Sequence, residues 1–88
     1  MISKTYIITA AEGIHARPAT ALIRLVKQYK SAVTLKKGEK SILLNSMLNI
    51  LTFGAHGGDS ITIDIVGDDE MEASQAIDQF FIEELKKL

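Results

Sequence analysis

The residues best suited to chemistry in this sequence lie together in the segment GIHARPAT, residues 13–20. The segment holds a histidine, an arginine two positions later, and the only proline of the 88 residues. Imidazole is a nucleophile near neutral pH, and a guanidinium offers a fork of hydrogen-bond donors to an anion. His15 and Arg17 therefore indicate a site that handles an anion, with His15 as the group able to form a covalent bond.

Pro18 predicts that this site lies at the start of a helix. Proline has no N–H to leave unpaired in a first turn, and it disfavours helical geometry at the preceding Arg17. We therefore expect the helix to begin within a residue or two of His15, with Gly13 supplying the turn from strand to helix. A helix start has unpaired N–H groups and carries about +0.5 charge, which favours a neutral, nucleophilic imidazole and binds anions. These groups would stabilise a phosphoryl group both on the ring and in transfer, as a carrier requires.

The elements that must position this segment follow the order β α β β α β α. Strand patterns cover residues 3–10, 32–37, 40–44 and 60–66, with a glycine turn between the second and third. Helical patterns cover residues 16–29, residues 47–53 and a last helix ending in Lys86-Lys87, whose apolar stripe is Ala73, Ala76, Ile77, Phe80, Phe81 and Leu85. We expect an α+β open-faced sandwich, with three helices on one face of a mostly antiparallel four-stranded sheet and the other face solvated.

Two of the helices carry signals at their ends. Ser46 is an N-cap residue type before the second helix, and Gly54 is a natural stop after it. Asp69 and Glu72 have the spacing of a capping box, which predicts that Asp69 caps the last helix.

Composition indicates one domain over residues 1–88, with 47% apolar residues and no cysteine. The absence of cysteine rules out disulfides and thiolate metal sites and favours a cytoplasmic setting. No stretch reaches the ~20 apolar residues that a bilayer requires, and the N-terminus lacks the pattern of a secretory signal. The net charge of −1 gives no reason to bind nucleic acid. We expect a soluble monomer without membrane insertion or a nucleic-acid partner.

The other candidate site residues have simpler interpretations. His56 lies in the glycine-rich loop AHGGD, and two histidines without clustered carboxylates make a poor metal site, so we expect neither metal nor cofactor. His15 also has an alternative interpretation as an ordinary surface or capping residue before a helix. Basic residues concentrate in the first half of the chain, which favours an acidic partner near the first helix.

GIHARPAT, after the strand TYIITA and before a helix, resembles the active-site signature of the HPr family, the histidine-containing phosphocarriers of the bacterial phosphoenolpyruvate:sugar phosphotransferase system. The resemblance covers nearly the whole chain, including a second helix opened by a serine, the strand SITIDIVG, and DDE before the last helix. It implies a sheet of order 1-4-2-3. It also implies a carrier, rather than a stand-alone enzyme, that takes phosphate from phosphorylated enzyme I and gives it to IIA domains of sugar permeases.

The resemblance implies a role for individual residues. His15 matches the histidine phosphorylated at Nδ1, Arg17 the arginine beside the phosphate, and Pro18 the first-turn proline. Ser46 matches the serine that HPr kinase phosphorylates, after which the protein acts with a regulator in carbon catabolite repression. The residues implied in docking partners are Thr20, Arg24, Lys27, Met47, Leu48 and Leu51.

The segment around Ser46 departs from the family's pattern. The family commonly has KSIMGVMSLG where this chain has NSMLNILTFG, residues 45–54, with Asn45 replacing a lysine and Asn49 a glycine. Ser46 is therefore either an N-cap alone or an N-cap and a phosphorylation site. The whole protein is a phosphocarrier, or alternatively a regulatory module that binds a transcription factor or metabolic enzyme. A third alternative is an interaction domain that only shares the fold.

Overall fold

A computed structural model describes residues 1–85, and its elements follow the predicted order. The strands are β1 (Ile2–Ile7), β2 (Ala32–Lys37), β3 (Lys40–Leu43) and β4 (Ser60–Val66). The helices are α1 (Ala16–Val26), α2 (Met47–Phe53) and α3 (Glu70–Gln79), and a π-helical segment, Phe80–Glu84, continues α3. The predicted end of the last helix at Lys86 and Lys87 lies outside the described residues.

The four strands form one antiparallel sheet in the order β1-β4-β2-β3, as predicted. Ile61, Ile63 and Ile65 of β4 are buried in the core that the helices cover. Asp64 lies between them on the opposite face, across from Ser3 of β1. These findings confirm the α+β open-faced sandwich.

The face of the sheet without helices is less solvated at its centre than the alternation predicts. Asp64 is buried there, and its Oδ2 lies 2.6 Å from Nζ of Lys36 on the neighbouring strand. The hydrogen bonds from Lys36 and Ser3 hold the pKa of the Asp64 carboxyl below its ordinary value. The pair thus allows a charged residue to be buried at the middle of the sheet.

The end of the last helix closes the core. Both Phe80 and Phe81 are buried, and Phe81 stacks on Tyr6 of β1 with ring centroids 4.7 Å apart. The N–H of Leu85 donates to the carbonyl of Phe80, five residues earlier, as in a π-helix. This wider turn places Phe80 and Leu85 on the same buried side.

Three predicted boundaries are shorter in the structure. β1 ends at Ile7 because Ile8 bonds to a loop instead, donating to the carbonyl of Asp59 at 2.9 Å. α1 ends at Val26, where a turn tightened by a bond from Gln28 to the carbonyl of Leu25 follows. The third, β3, ends one residue before the predicted 44.

The predicted capping box at Asp69 is wrong, although α3 begins directly after this residue. The Asp69 side chain makes no cap bond to its own helix. Its carboxylate instead accepts the N–H groups of Lys30 and Ser31, at 2.8 and 2.9 Å, and the Ser31 hydroxyl. A contact between distant segments of the chain has therefore replaced a local one.

Candidate functional site

His15 lies at the N-cap of α1, where the extended chain turns into the helix. Its backbone has φ −93° and ψ −166°, and its carbonyl oxygen accepts the N–H of Ala19 at 2.9 Å. The imidazole side chain is 36% exposed. A protein partner can therefore reach the ring without rearrangement of the core.

The first turn of α1 presents unpaired donors beside His15. Within residues 1–85, neither a backbone carbonyl nor a capping side chain accepts the N–H groups of Ala16 and Arg17, and Pro18 has none to offer. The predicted helix start is confirmed. Arg17 lies inside the helix as its second residue, although Pro18 follows it, and Pro18 and Ala19 are both buried. Two free N–H groups at a positive helix end form an anion-binding arrangement.

The loop that carries His15 is held by the loop after α2, residues 54–59. The N–H of Ile14 donates to the carbonyl of Ala55 at 3.1 Å. Gly13 has φ +71°, and its Cα lies so close to the same carbonyl that a Cβ would overlap it. The position of His15 therefore depends on close contact between two loops.

Asp59 organises this supporting loop. Its carboxylate accepts the N–H of His56 at 2.8 Å and lies 3.0 Å from Nζ of Lys37, which also donates to the carbonyl of Gly54 at 2.8 Å. The hydrogen bonds from His56 and Lys37 hold the pKa of Asp59 below its ordinary value. Sequence reasoning missed this role, for which an aspartate in a glycine-rich loop is the available signal.

Glu12 is a second neighbour that sequence reasoning missed. Its Oε2 lies 3.4 Å from Nε2 of His15. The signal in the sequence is an acidic residue three positions before the histidine, in the turn that leads to the helix. Glu12 places a negative charge at one edge of the imidazole.

The predicted basic residues lie on the outside of α1 and at its C-cap, Lys27. Arg17, Arg24 and Lys27 are all exposed. Arg17 and Arg24 are two helical turns apart and therefore share a face. A line of positive charge thus extends from the His15 end of the helix, as an acidic partner would require.

The residues Met47, Leu48 and Leu51 of α2 form an exposed apolar surface, here called the α2 patch. Leu48 is 69% and Leu51 44% exposed, whereas Met47 is half-buried. Oγ1 of Thr20 lies 3.3 Å from Sδ of Met47 and donates to the carbonyl of Ala16 at 2.9 Å. The α2 patch therefore adjoins the first turn of α1.

Ser46 lies at the N-cap of α2, as predicted. Its hydroxyl oxygen accepts the N–H of Asn49 at 3.4 Å, and Gly54 ends the helix with φ +81°. The structure thus confirms the capping interpretation of Ser46. Its phosphorylation stays a prediction.

The described residues contain no cluster of side chains suited to a metal ion. Across residues 1–85, no group of three or more His, Cys, Asp or Glu side chains could hold a metal ion. In the same part of the chain, every helix is too short or too polar to cross a membrane.

The comparisons with known proteins agree with this geometry. The family model of the PTS HPr component phosphorylation site matches residues 2–83. The histidine-containing phosphocarrier protein of a mycoplasma is 34% identical, with a TM-score of 0.89 over 96% of each chain. HPr of Thermoanaerobacter tengcongensis is 27% identical, with a TM-score of 0.91 over 100% of this chain and 98% of that one. The catabolite repression protein Crh of Bacillus subtilis, solved as a swapped dimer, is 25% identical, with a TM-score of 0.75 over 96% and 97% of the two chains. The chain therefore belongs to the HPr family of phosphocarrier proteins of the phosphotransferase system.

Proposed function

We propose that this chain, as a cytoplasmic monomer, accepts a phosphoryl group on His15 from phosphorylated enzyme I and passes it to IIA domains of sugar permeases. The observation that carries the proposal is the partly exposed imidazole at the N-cap of α1, beside the unpaired N–H groups of Ala16 and Arg17. Backbone donors at a helix start bind phosphoryl oxygens well. The Arg17 side chain adds a positive charge at the same turn.

Each transfer is a displacement at phosphorus. In the first, Nδ1 of His15 gives its lone pair to phosphorus while the bond to the group on enzyme I breaks, and that group keeps the bonding pair. In the second, a nucleophile of the IIA domain attacks phosphorus, and the pair of the broken P–N bond returns to Nδ1. The N–H groups and Arg17 offset the charge of the phosphoryl oxygens in both steps. The chain is thus a carrier that needs a partner enzyme at each end.

The proposed docking surface combines the α2 patch with the basic side of α1. Exposed leucines supply apolar area, and Arg24 and Lys27 attract an acidic partner. The contact between Thr20 and Met47 makes this surface continuous with the first turn of α1. A partner docked there would cover His15.

Leu48 tests the docking surface. Leu48→Ser should weaken binding to enzyme I by about five- to thirtyfold, because a docked leucine at the centre of an interface contributes ~1–2 kcal/mol. Met71→Ser is the matched control, since Met71 is 65% exposed but lies on α3. Binding would be measured by calorimetry. Equal affinities for both variants would remove the α2 patch from the proposal.

Discharge of the loaded protein tests the carrier function. Purified protein phosphorylated by enzyme I should lose its phosphoryl group when a IIA domain from the same organism is added, and the IIA domain should gain it. Arg17→Ala should slow both steps by about tenfold or more, because it removes a charged donor from the transferring group. A loaded wild-type protein that retains its phosphoryl group with each IIA domain of its host would exclude the carrier function.

We further propose that Ser46 is a regulatory phosphorylation site for HPr kinase, and that the product is read by a regulator of carbon catabolite repression. The support is its position next to Met47, at the edge of the α2 patch. A phosphate adds about two negative charges, which would oppose the docking of an acidic partner. Phosphorylation of Ser46 would therefore lower phosphoryl flow through His15.

The test is incubation with ATP and the HPr kinase of the same host. The wild type should gain an acid-stable phosphate that Ser46→Ala lacks and that Ser41→Ala, altered at an exposed serine of β3, retains. If an active kinase leaves the wild type unmodified, Ser46 is an N-cap only and not a phosphorylation site.

The second candidate function is a regulatory binding module with little transport role. The similarity to Crh, which is described as a catabolite repression protein, favours it. The complete set of His15, Arg17 and the free N–H groups favours the carrier instead. Two results together would favour the regulatory module: His15 is loaded rapidly but transfers nothing to IIA domains, and the Ser46-phosphorylated form binds a regulator.

A further inference from the structure

We propose that Glu12 is a positioning residue for His15. Its carboxylate holds the proton on Nε2, so that the lone pair of the neutral ring lies on Nδ1. The carboxylate also offsets the positive charge that the ring acquires on phosphorylation. The inference deepens the proposed carrier function and depends on it for its kinetic consequence. The structural part, which nitrogen carries the proton, can be tested without any partner.

The geometry places the carboxylate at one edge of the ring only. Oε2 of Glu12 lies 3.4 Å from Nε2 of His15, which is longer than a strong hydrogen bond and becomes an ion-pair distance once the ring is cationic. Contacts of reactive histidines are often long in the free protein and shorten when the reaction partner binds. The proposal therefore predicts that the proton lies on the nitrogen that faces Glu12.

The loop holds Glu12 in this place. The residue after it, Gly13, donates its N–H to the carbonyl of Ala10 at 2.9 Å and packs against the loop after α2. Glu12 is thus part of the same tight turn that leads into His15. Its side chain is 80% exposed, so a docking partner would displace much of the water around the pair. Removal of water strengthens the attraction between opposite charges.

The chemistry explains why a negative charge at Nε2 assists transfer. When Nδ1 of a neutral ring bonds to phosphorus, its lone pair becomes the new P–N bond and the ring, still protonated at Nε2, becomes cationic. A carboxylate at Nε2 stabilises that cation, as the aspartate of a Ser-His-Asp triad stabilises its imidazolium. In the return step the P–N bonding pair goes back to Nδ1, and the leaving group is a neutral imidazole. No proton has to move in either direction.

Three variants separate the effects of the hydrogen-bond acceptor and of the charge. Glu12→Gln keeps a carbonyl oxygen that can accept from Nε2 but removes the charge, whereas Glu12→Ala removes both. Glu72→Gln makes the same change of charge on α3, whose start lies near Lys30 and Ser31, beyond the far end of α1. It is the matched control.

The first measurement is the nitrogen-15 NMR spectrum of the two imidazoles at a pH where the rings are neutral. In the wild type, His15 should be protonated almost entirely at Nε2, and more completely than the exposed His56 of the same sample. Glu12→Gln should retain this state, and Glu12→Ala should bring His15 to the mixture shown by His56. A wild-type His15 with the same mixture as His56, unchanged in Glu12→Ala, would overturn the proposal.

The second measurement is the rate of phosphorylation at saturating phosphorylated enzyme I. Glu12→Gln and Glu12→Ala should both transfer about two- to fivefold more slowly, the effect expected for a surface ion pair, while Glu72→Gln equals the wild type. Equal rates for all four proteins would overturn the electrostatic half of the proposal. A wild type that takes no phosphoryl group would instead refute the carrier function, and the NMR result would still decide what Glu12 does to the ring.

Discussion

At the residue scale, His15 depends on a glycine that takes no part in chemistry. Gly13 has φ +71°, and a Cβ there would lie 2.7 Å from Cα of His56 and overlap the carbonyl oxygen of Ala55. A side chain would therefore have to adopt a strained backbone and push the two loops apart. Both the position of the imidazole and the stability of the domain therefore depend on the contact between Gly13 and the loop after α2.

The comparison of Gly13→Ala with Gly38→Ala tests this dependence. Gly38 has φ +60° but open space around it, so its substitution adds backbone strain alone, about 1–2 kcal/mol. Gly13→Ala should lower the free energy of unfolding by clearly more than Gly38→Ala, measured by urea unfolding, and should also slow phosphorylation of His15. Equal losses of stability in the two variants would contradict the role given to the loop contact.

The sequence predicts the residues of the site better than their neighbours. His15, Arg17 and Pro18 stand in one segment, where their types and spacing already indicate an anion site at a helix start. Glu12 and Asp59 act through the folded loops, and their contacts depend on how chain segments far apart in the sequence come together. Single residues in turns and loops give little sign of such contacts.

At the scale of the elements, Asp69 joins the start of α3 to the segment that links α1 to β2. Its carboxylate accepts two backbone N–H groups and the hydroxyl of the buried Ser31. The hydrogen bonds from Ser31 and from the N–H of Lys30 hold the pKa of Asp69 below its ordinary value. This junction holds the segment that follows the helix whose start carries His15.

Removal of the Asp69 carboxylate should therefore destabilise the domain. Asp69→Ala leaves three donors without their acceptor and should lower the free energy of unfolding by about 1–3 kcal/mol. Asp68→Ala removes the same charge from the neighbouring exposed residue and should change it by less than about 0.5 kcal/mol. Urea unfolding of both variants provides the measurement, and similar effects would argue against the junction.

Local patterns predict the elements and several of their ends, but fail where tertiary contacts compete. Ser46 and Gly54 bound α2 as expected, because the Ser46 hydroxyl accepts the N–H of Asn49 in the same helix and Gly54 adopts the left-handed conformation. Asp69 has the spacing of a capping box, yet Ser31 and Lys30 offer its carboxylate three donors. Spacing predicts that Phe80 and Phe81 face the core, but it does not distinguish the π-helical turn at Phe80 from a continued α-helix.

At the scale of the whole molecule, the order of the elements and the topology of the sheet can be predicted from the pattern of apolar residues together with the family resemblance. The patterns predict one layer of helices on an antiparallel sheet, and the resemblance adds the strand order β1-β4-β2-β3 that the structure shows. Patterns do not specify which polar groups become pairs. The pairs Lys36–Asp64, Lys37–Asp59 and Lys4–Asp78 each join different elements.

The carboxylates of these pairs, together with that of Asp69, predict how stability depends on pH. Hydrogen bonds lower the pKa values of Asp59, Asp64 and Asp69 below the ordinary 3.8; at Asp78, burial opposes this effect, but bonds from Lys4 and Tyr6 outweigh it. The unfolded chain therefore binds protons more readily than the folded one. The stabilisation is complete at pH values above the ordinary pKa of 3.8, and it should be lost as the pH falls through the lowered pKa values of the folded protein.

Urea unfolding at a series of pH values between about 5 and 2 measures this loss. Asp64→Asn and Asp69→Asn should each make the dependence shallower, because each removes one group whose pKa differs between the folded and unfolded states. A wild-type stability that does not change over this range would contradict the assigned pairs.

The central claim is that His15 is the phosphoacceptor, and mass spectrometry after incubation with phosphoenolpyruvate, Mg²⁺ and the cognate enzyme I tests it most directly. The wild type and His56→Ala should each gain the mass of one phosphoryl group, in a form that is lost in acid and stable in base, and His15→Ala should gain none. A wild type that stays unmodified while the same enzyme I autophosphorylates, or a His15→Ala protein that still gains the group, would contradict the account.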